Sequence, residues 1–346
     1  MSYPDRTRQE LSAALETLTI ESAAAFRFAG HRVVVAPAPP AGYGTHPLPG
    51  IPLVRELQSV FYASCYCRQF GSAAPMPERQ DSLADPEFVQ TLAGIHRDLS
   101  TWDRGWTIYA VGPDGRVYVQ KGERQRIAMP GEFATCAPPG LPLRNGALVM
   151  LWVQRDSATL QPGFFHFFSA VPTDAWDDFE LFRIYFHTTA QRVPELIRSL
   201  SAAMSRYQVP YLMKTLAHPA AYSRADATVL YVARRYHHIA LAIAANISDR
   251  HRRDLRAWAP LFTGSLAPGV GFADDPGGNE SFGMQRCRLV AEGVYAAAVL
   301  GRQDLAARMS AIEGAFARNG LLLERPHLGA GKSDIPIPIM TGAARA

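Results

Sequence analysis

The sequence predicts an α+β fold, with a central, mostly antiparallel sheet flanked by helices. Three observations carry this reading. Apolar residues recur with helical spacing towards both ends of the chain. The middle alternates with period two in short runs joined by turn signals, and the strands follow one another instead of alternating with helices as a βαβ series would. With 346 residues, 48% of them hydrophobic, the chain can bury one large core or two smaller ones.

Taken in order, Gln9 to Phe28 reads as a helix, with Leu11, Leu15, Leu18, Ile20 and Ala24 near helical spacing. A Pro/Gly-rich connection, "VVVAPAPPAGYGTHPLPG", closes an N-terminal region of residues 1–50. "IPLVRELQSVFYASCYCRQFG" reads as a second helix ending at Gly71, and Phe88 to Leu99 as a third, after a polar stretch reaching about Pro86. "WTIYAVGPDGRVYVQKG" is a pair of alternating runs around Pro-Asp-Gly, a hairpin signal. Strands are expected at "ALVMLWVQRD", "FFHFFSA", "LFRIYFHTT" and "ATVLYVARR", with "VPYLMKTL" a short extended segment. Helices are expected at Pro194 to Tyr207, His237 to Ser248, Met284 to Gly301 and Gln303 to Arg318. The main domain then spans residues 51–322, with room for two lobes split near residue 170, and residues 323–346 form a flexible Gly/Pro-rich tail.

Composition excludes several classes. A net charge of +4 is too mild, and too dispersed, for a nucleic-acid binder. No apolar run approaches membrane-spanning length and the charged N-terminus has no apolar signal core, so a cytoplasmic location and no membrane partner are expected. Cys65, Cys67, Cys136 and Cys287 make neither a metal pattern nor a disulfide framework. His237, His238 and His251 lack ligand spacing and read as a surface helix start. "RPHLGAGKS" imitates a phosphate loop but has Pro326 where the first glycine is required. No metal or other cofactor is expected.

The informative positions are few. Alternation places Arg183, Tyr185 and His187 on one strand face, with Ile184 and Phe186 on the other. A guanidinium, a phenol and an imidazole side by side are costly to bury unpaired, so the face is either functional or a solvent-facing edge. Lys214 is one of only three lysines, with Lys121 and Lys332, in a chain whose other cations are arginine. Desolvation or a nearby guanidinium would leave it a neutral amine; the alternative is a lysine that snorkels from a strand end. Arg224 and Asp226 precede a strand, where they either anchor a turn or orient a catalytic cation. "NESFGMQRCRLVAEGVYAA" puts Arg286 and Arg288 at a helix start, where the macrodipole disfavours cations unless an anion is also held there. By helical angle Arg286 would reach an anion at the Ser281, Phe282 and Gly283 amides, whereas Arg288 reads as a surface charge.

"RIYFH", "VPYLMK", "RADATVLYV", "LFTGSLAPGVGFADDP" and "SFGMQRCRLVAEG" occur in an order and at spacings that resemble the HopA-type effector family; "DRGW" and "LQPGFF" fit the same pattern. The likeness spans roughly residues 55 to 300. The family takes its name from a type III effector and includes stand-alone lyase subunits of class V lanthipeptide and thioamitide biosynthesis. The resemblance implies that residues 51–322 are a HopA-like lyase domain. The activity it implies is phosphate elimination from phosphoserine or phosphothreonine in a ribosomal precursor peptide, giving dehydroalanine or dehydrobutyrine. The partners it implies are that phosphopeptide, a separate kinase subunit and, in some systems, a leader-binding subunit. Carried over by chemical role, Lys214 is the base, His187 the acid, Tyr185 or Tyr231 an acid or enolate stabiliser, and Asp226 an orienting group. Arg183, Arg224, Arg286 and the amides of Ser281, Phe282 and Gly283 would hold phosphate. The competing reading is a non-catalytic phosphopeptide-binding module or a host-directed effector.

Overall fold

The computed structural model describes residues 3–35, 52–72, 83–96, 101–138, 140–153, 155–171, 173, 177, 179–278 and 280–333. The Pro/Gly-rich connection, most of the polar stretch before Pro86 and residues 334–346 lie outside these. Its centre is an antiparallel sheet of seven strands in the order β14-β15-β11-β13-β12-β10-β9. These are β9 (Asp156–Ser157), β10 (Phe164–Phe168), β11 (Leu181–Phe186), β12 (Leu212–Leu216), β13 (Thr228–Ala233), β14 (Gly264–Ala267) and β15 (Val270–Asp274). The predicted α+β class holds.

Period-two alternation decides what each face of this sheet meets. Phe182, Ile184 and Phe186 of β11, with Leu230 and Val232 of β13, bury into one core against α3 (Pro86–His96), α4 (Val193–Arg206) and α5 (His237–Arg250). Tyr185, Val229, Tyr231 and Ala273 point the other way, under α1 (Tyr3–Glu16), α2 (Pro52–Phe61), α6 (Phe282–Val299) and α7 (Leu305–Arg318). The strand carrying Arg183 is therefore central, paired with β13 and β15, and not a solvent-facing edge.

Two boundaries differ from the sequence expectation. The stretch read as the second half of the first helix is instead a three-stranded meander: β1 (Thr19–Ser22), β2 (Ala25–Phe28) and β3 (His31–Val34). Ala23 and Ala24 continue the helical pattern, but Thr19 and Ile20 are β-branched, and Ala29-Gly30 turns with positive φ. Nor does this region stand apart. Leu11, Leu15, Phe26 and Phe28 share one core with Leu57, Phe61, Val290 and Phe316.

The strands of the middle region divide between two sheets. A separate five-stranded sheet, order β6-β5-β4-β8-β7, has its own small core around Trp106, Ile108, Val119 and Val149. Its strands are β4 (Thr101–Val111), β5 (Val117–Lys121), β6 (Arg124–Ala128), β7 (Phe133–Thr135) and β8 (Leu148–Val153), so the change from one sheet to the other falls between Val153 and Asp156. Alternation identifies strands but not which sheet they join. The described part of the predicted tail is docked: Leu323 and Leu328 are buried, and the Asp274 amide donates to the His327 carbonyl at 2.8 Å. Among the described residues no helix is long and apolar enough to cross a membrane.

Helices α6 and α7 pack backbone to backbone at Gly293, where an added Cβ would lie 2.5 Å from Ile312 Cα. Gly293→Ala should therefore cost ~1–3 kcal/mol by overpacking, despite alanine's better helix propensity. Urea unfolding would read this as a lower midpoint at unchanged slope.

Candidate active site

Register assembles the polar face of the seven-stranded sheet. One row runs His166, Lys214, Val229, Tyr185 and Gly271 across β10, β12, β13, β11 and β15; the next contains Leu212, Tyr231, Arg183 and Ala273. Lys214 and Arg183 thus lie on either side of β13. The Arg183 guanidinium is 5.0 Å from the centre of the Tyr231 ring, and Lys214 Nζ is 5.8 Å from the same centre.

Both predicted phosphate-binding arginines on this face are held by carboxylates. Arg224 donates from Nε and Nη2 to the two Asp226 oxygens at 2.9 and 2.7 Å, a bidentate pair. The Tyr62 hydroxyl donates to Asp226 Oδ2 at 3.1 Å and accepts from Arg224 Nη2 at 3.1 Å. Arg183 donates from Nε to Asp275 at 2.5 Å. Burial works against the Asp226 charge, but Arg224 outweighs it and, with Tyr62 and Lys214, holds the carboxyl below the usual range. Burial likewise opposes the Arg183 charge, and the Asp275 carboxylate paired with it offsets this.

Lys214 differs from the other two lysines. Lys121 Nζ pairs with Asp103 at 2.6 Å and Lys332 Nζ with Glu180 at 2.7 Å. Lys214 Nζ instead donates to the amide oxygen of Gln161 at 3.1 Å and faces the Phe164 ring at 4.4 Å. Burial first, then Arg183 and Arg224, bring its pKa down to about 8, against the pull of Asp226 and Asp275. A substantial neutral fraction is therefore present near physiological pH.

The tyrosines form the floor. Residues 62–66 wind as a π-helix continuing α2, closed by the Cys67 amide on the Tyr62 carbonyl at 2.9 Å. Tyr62 and Tyr66 stack with centroids 5.2 Å apart, and Tyr66 meets Tyr185 edge-on at 6.5 Å. Burial raises the pKa of Tyr185 and of Tyr231, with Arg183 opposing in both, so each stays a neutral phenol.

Five predicted residues, in three places, do not serve the site as expected. Arg286 is buried, donating from Nε to the Pro326 carbonyl at 2.7 Å and from Nη2 to the Leu328 carbonyl at 3.0 Å. It anchors the docked tail instead of reaching an anion at the helix start, because those carbonyls take the place the anion was expected to fill. Ser281 caps α6, accepting from the Met284 amide, while Phe282 and Gly283 are buried and a Cβ on Gly283 would strike the Tyr66 ring at 2.4 Å. That helix start supports Tyr66 and presents no open anion cradle. Arg288, read as a free surface charge, is paired with Glu280 and Glu292.

His187 is the third. It lies just past β11, its Nδ1 facing the Trp258 carbonyl at 2.7 Å, so Nδ1 carries the proton and the buried Nε2 has no partner. Burial, above all, brings its pKa to about 4, and Arg256 adds to this. With the Nδ1 proton on the Trp258 carbonyl and the pKa lowered, Nε2 is an acceptor and not the donor the sequence expectation assigned. His166, cross-strand from Lys214 and overlooked in the sequence, is also buried, with a pKa near 4 from burial and Lys214. Tyr62, Tyr66, Gln161 and Asp275 were overlooked too. The signals were present as the i, i+4 tyrosine pair, the "LQPG" turn and the "ADD" run. Among the described residues, no group of three or more His, Cys, Asp or Glu converges to hold a metal ion.

A family model described as the HopA1 effector protein family matches residues 155–328. This span holds Gln161, Arg183, Tyr185, Lys214, Arg224, Asp226, Tyr231 and Asp275 and leaves out Tyr62 and Tyr66. Two solved structures are similar. The effector protein from Pseudomonas syringae pv. tomato strain DC3000 shares 14% identity at a TM-score of 0.42, over 80% of this chain and 89% of that one. The effector protein from Pseudomonas syringae pv. syringae strain 61 shares 13% identity at 0.40, over 78% and 88%. No curated protein matches the chain.

The two buried histidines give a pH signature. Unfolded histidine titrates near 6.5 and these rings near 4, so between those values the unfolded chain binds more protons and stability falls as pH falls. The loss should reach ~3 kcal/mol per ring at pH 4. Denaturant unfolding at stepped pH should show this, and His187→Asn should flatten the slope.

Proposed function

Because the chain belongs to the HopA1 effector protein family, and because its sheet gathers one lysine with no carboxylate partner beside two part-buried arginines, we propose that it is a phosphoserine/phosphothreonine lyase. The observation that carries the reading is Lys214, whose low pKa and neutral acceptor make it a base at physiological pH. The α-hydrogen next to an amide is a very weak acid, so a close, neutral amine and nearby positive charge are what its removal requires.

In this reading the neutral Lys214 amine takes the α-proton, and the Cα–H electrons become the Cα=Cβ bond. The Cβ–O bond breaks and its electron pair leaves with the phosphate, giving dehydroalanine from phosphoserine or dehydrobutyrine from phosphothreonine. Arg183 and Arg224 offset the phosphate charge; each keeps its carboxylate and turns its remaining N–H groups to the ligand. Tyr231, a neutral phenol between Arg183 and Lys214, is the donor for the departing oxygen, and Tyr185 the donor for the developing enolate. A phosphorylated ribosomal peptide is the substrate, so a kinase acts before this protein, as a separate chain.

Lys214→Ala should bind phosphopeptide with near wild-type affinity by calorimetry yet lose at least ~10²-fold in elimination rate. In the wild-type protein, kcat/KM should rise about tenfold per pH unit below about 8 and level off above it, as Lys214 becomes neutral. A phosphopeptide that binds and remains intact in the wild-type protein would instead support the binding-module reading.

A further inference from the structure

The turn between β9 and β10 contributes the acceptor that Lys214 uses. Gln161 is exposed at this turn, followed by Pro162 and by Gly163 at φ +76°. The turn is locked in place: the Phe164 amide donates to the Gln161 carbonyl at 3.2 Å, and the Ala217 amide at the end of β12 donates to the Gly163 carbonyl at 2.9 Å. These bonds fix Gln161 and Phe164 against the strand that carries Lys214.

The groups facing Lys214 come from every neighbouring element. They are Arg183 from β11, Tyr231 from β13, Arg224 and Asp226 ahead of β13, Asp275 after β15, and His166 from β10. Both carboxylates are taken, Asp226 by Arg224 and Asp275 by Arg183. At the other two lysines the nearest acceptor is a carboxylate, which fixes the ammonium form. At Lys214 it is an uncharged amide. An amide oxygen accepts from the ammonium or the amine, and it holds the ammonium form less strongly than a carboxylate does.

Resting on the reading of Lys214 as base, we propose that Gln161 is its positioning residue, with two effects. It turns the Nζ lone pair away from the turn and towards the Arg183–Arg224 side, and as an uncharged amide it leaves the ammonium free to lose its proton and become the amine. Phe164 acts with it, because the ring face meets the positive charge that grows on Nζ during proton transfer.

Gln161→Glu separates these effects from a structural role, since the side chain is exposed and the change is nearly isosteric. With only three lysines in the chain, competitive amine labelling followed by mass spectrometry can titrate Lys214 directly, without substrate. Gln161→Glu should raise the apparent Lys214 pKa by about 1 unit or more and move the rising limb of the pH–rate profile by the same amount. Gln161→Ala should leave the labelling pKa near that of the wild type and lower kcat roughly tenfold at unchanged KM. An unmoved Lys214 pKa in Gln161→Glu, or full kcat in Gln161→Ala, would overturn the proposal. Because labelling needs no phosphopeptide, failure of the lyase reading would show separately, as a wild-type protein whose Lys214 titrates normally but which eliminates nothing.

Discussion

The ion pair between part-buried Arg224 and buried Asp226, bridged by the Tyr62 hydroxyl, is the interaction on which the rest of the face depends. A carboxylate this deep, left unpaired, would seek the nearest cation, and Lys214 is within its field. Arg224 prevents this by occupying both Asp226 oxygens, and Arg183 does the same at Asp275 with a single contact. Removing one member of such a pair leaves an uncompensated charge and typically costs ~3–5 kcal/mol. The arginines therefore have two consequences at once. They keep negative charge away from the lysine, and they place positive charge where it depresses the lysine pKa and where a phosphate would be held.

Support for this arrangement comes from outside the family-matched residues. The π-helix at residues 62–66 winds more widely than an α-helix, so residues four apart come nearly into line, and Tyr62 and Tyr66 stack. One phenol then reaches the Arg224–Asp226 pair, and the other fills the space between Tyr185 and α6. Gly283 is what lets Tyr66 lie directly against the helix. The backbone repeats the tie, with the Ala225 amide donating to the Cys67 carbonyl at 2.7 Å.

Much of this was legible in the sequence, for reasons of periodicity. Alternation in "RIYFH" placed Arg183 and Tyr185 on one face, and the rarity of lysine singled out Lys214. Pairing order was not legible, so the same alternation left open whether the face met solvent or helices. The Arg286 expectation was wrong because a cation at a helix start invites an anion only if nothing else accepts from it; the docked carbonyls of Pro326 and Leu328 do so. The setting of His187 was hidden for a similar reason: its Nδ1 is held by the Trp258 carbonyl, a partner 71 residues away. Gln161 was hidden because a polar residue in a turn needs no explanation until the lysine it faces is known.

The central claim is that this site breaks a carbon–oxygen bond rather than simply gripping a phosphate. The most direct measurement is the product mass of a phosphoserine- or phosphothreonine-containing peptide after incubation with the purified protein, together with any kinase partner that presents it. Loss of phosphoric acid is expected, leaving an unsaturated residue that adds a thiol. Recovery of the intact phosphopeptide, or of a serine or threonine hydroxyl formed by hydrolysis at phosphorus, would contradict it.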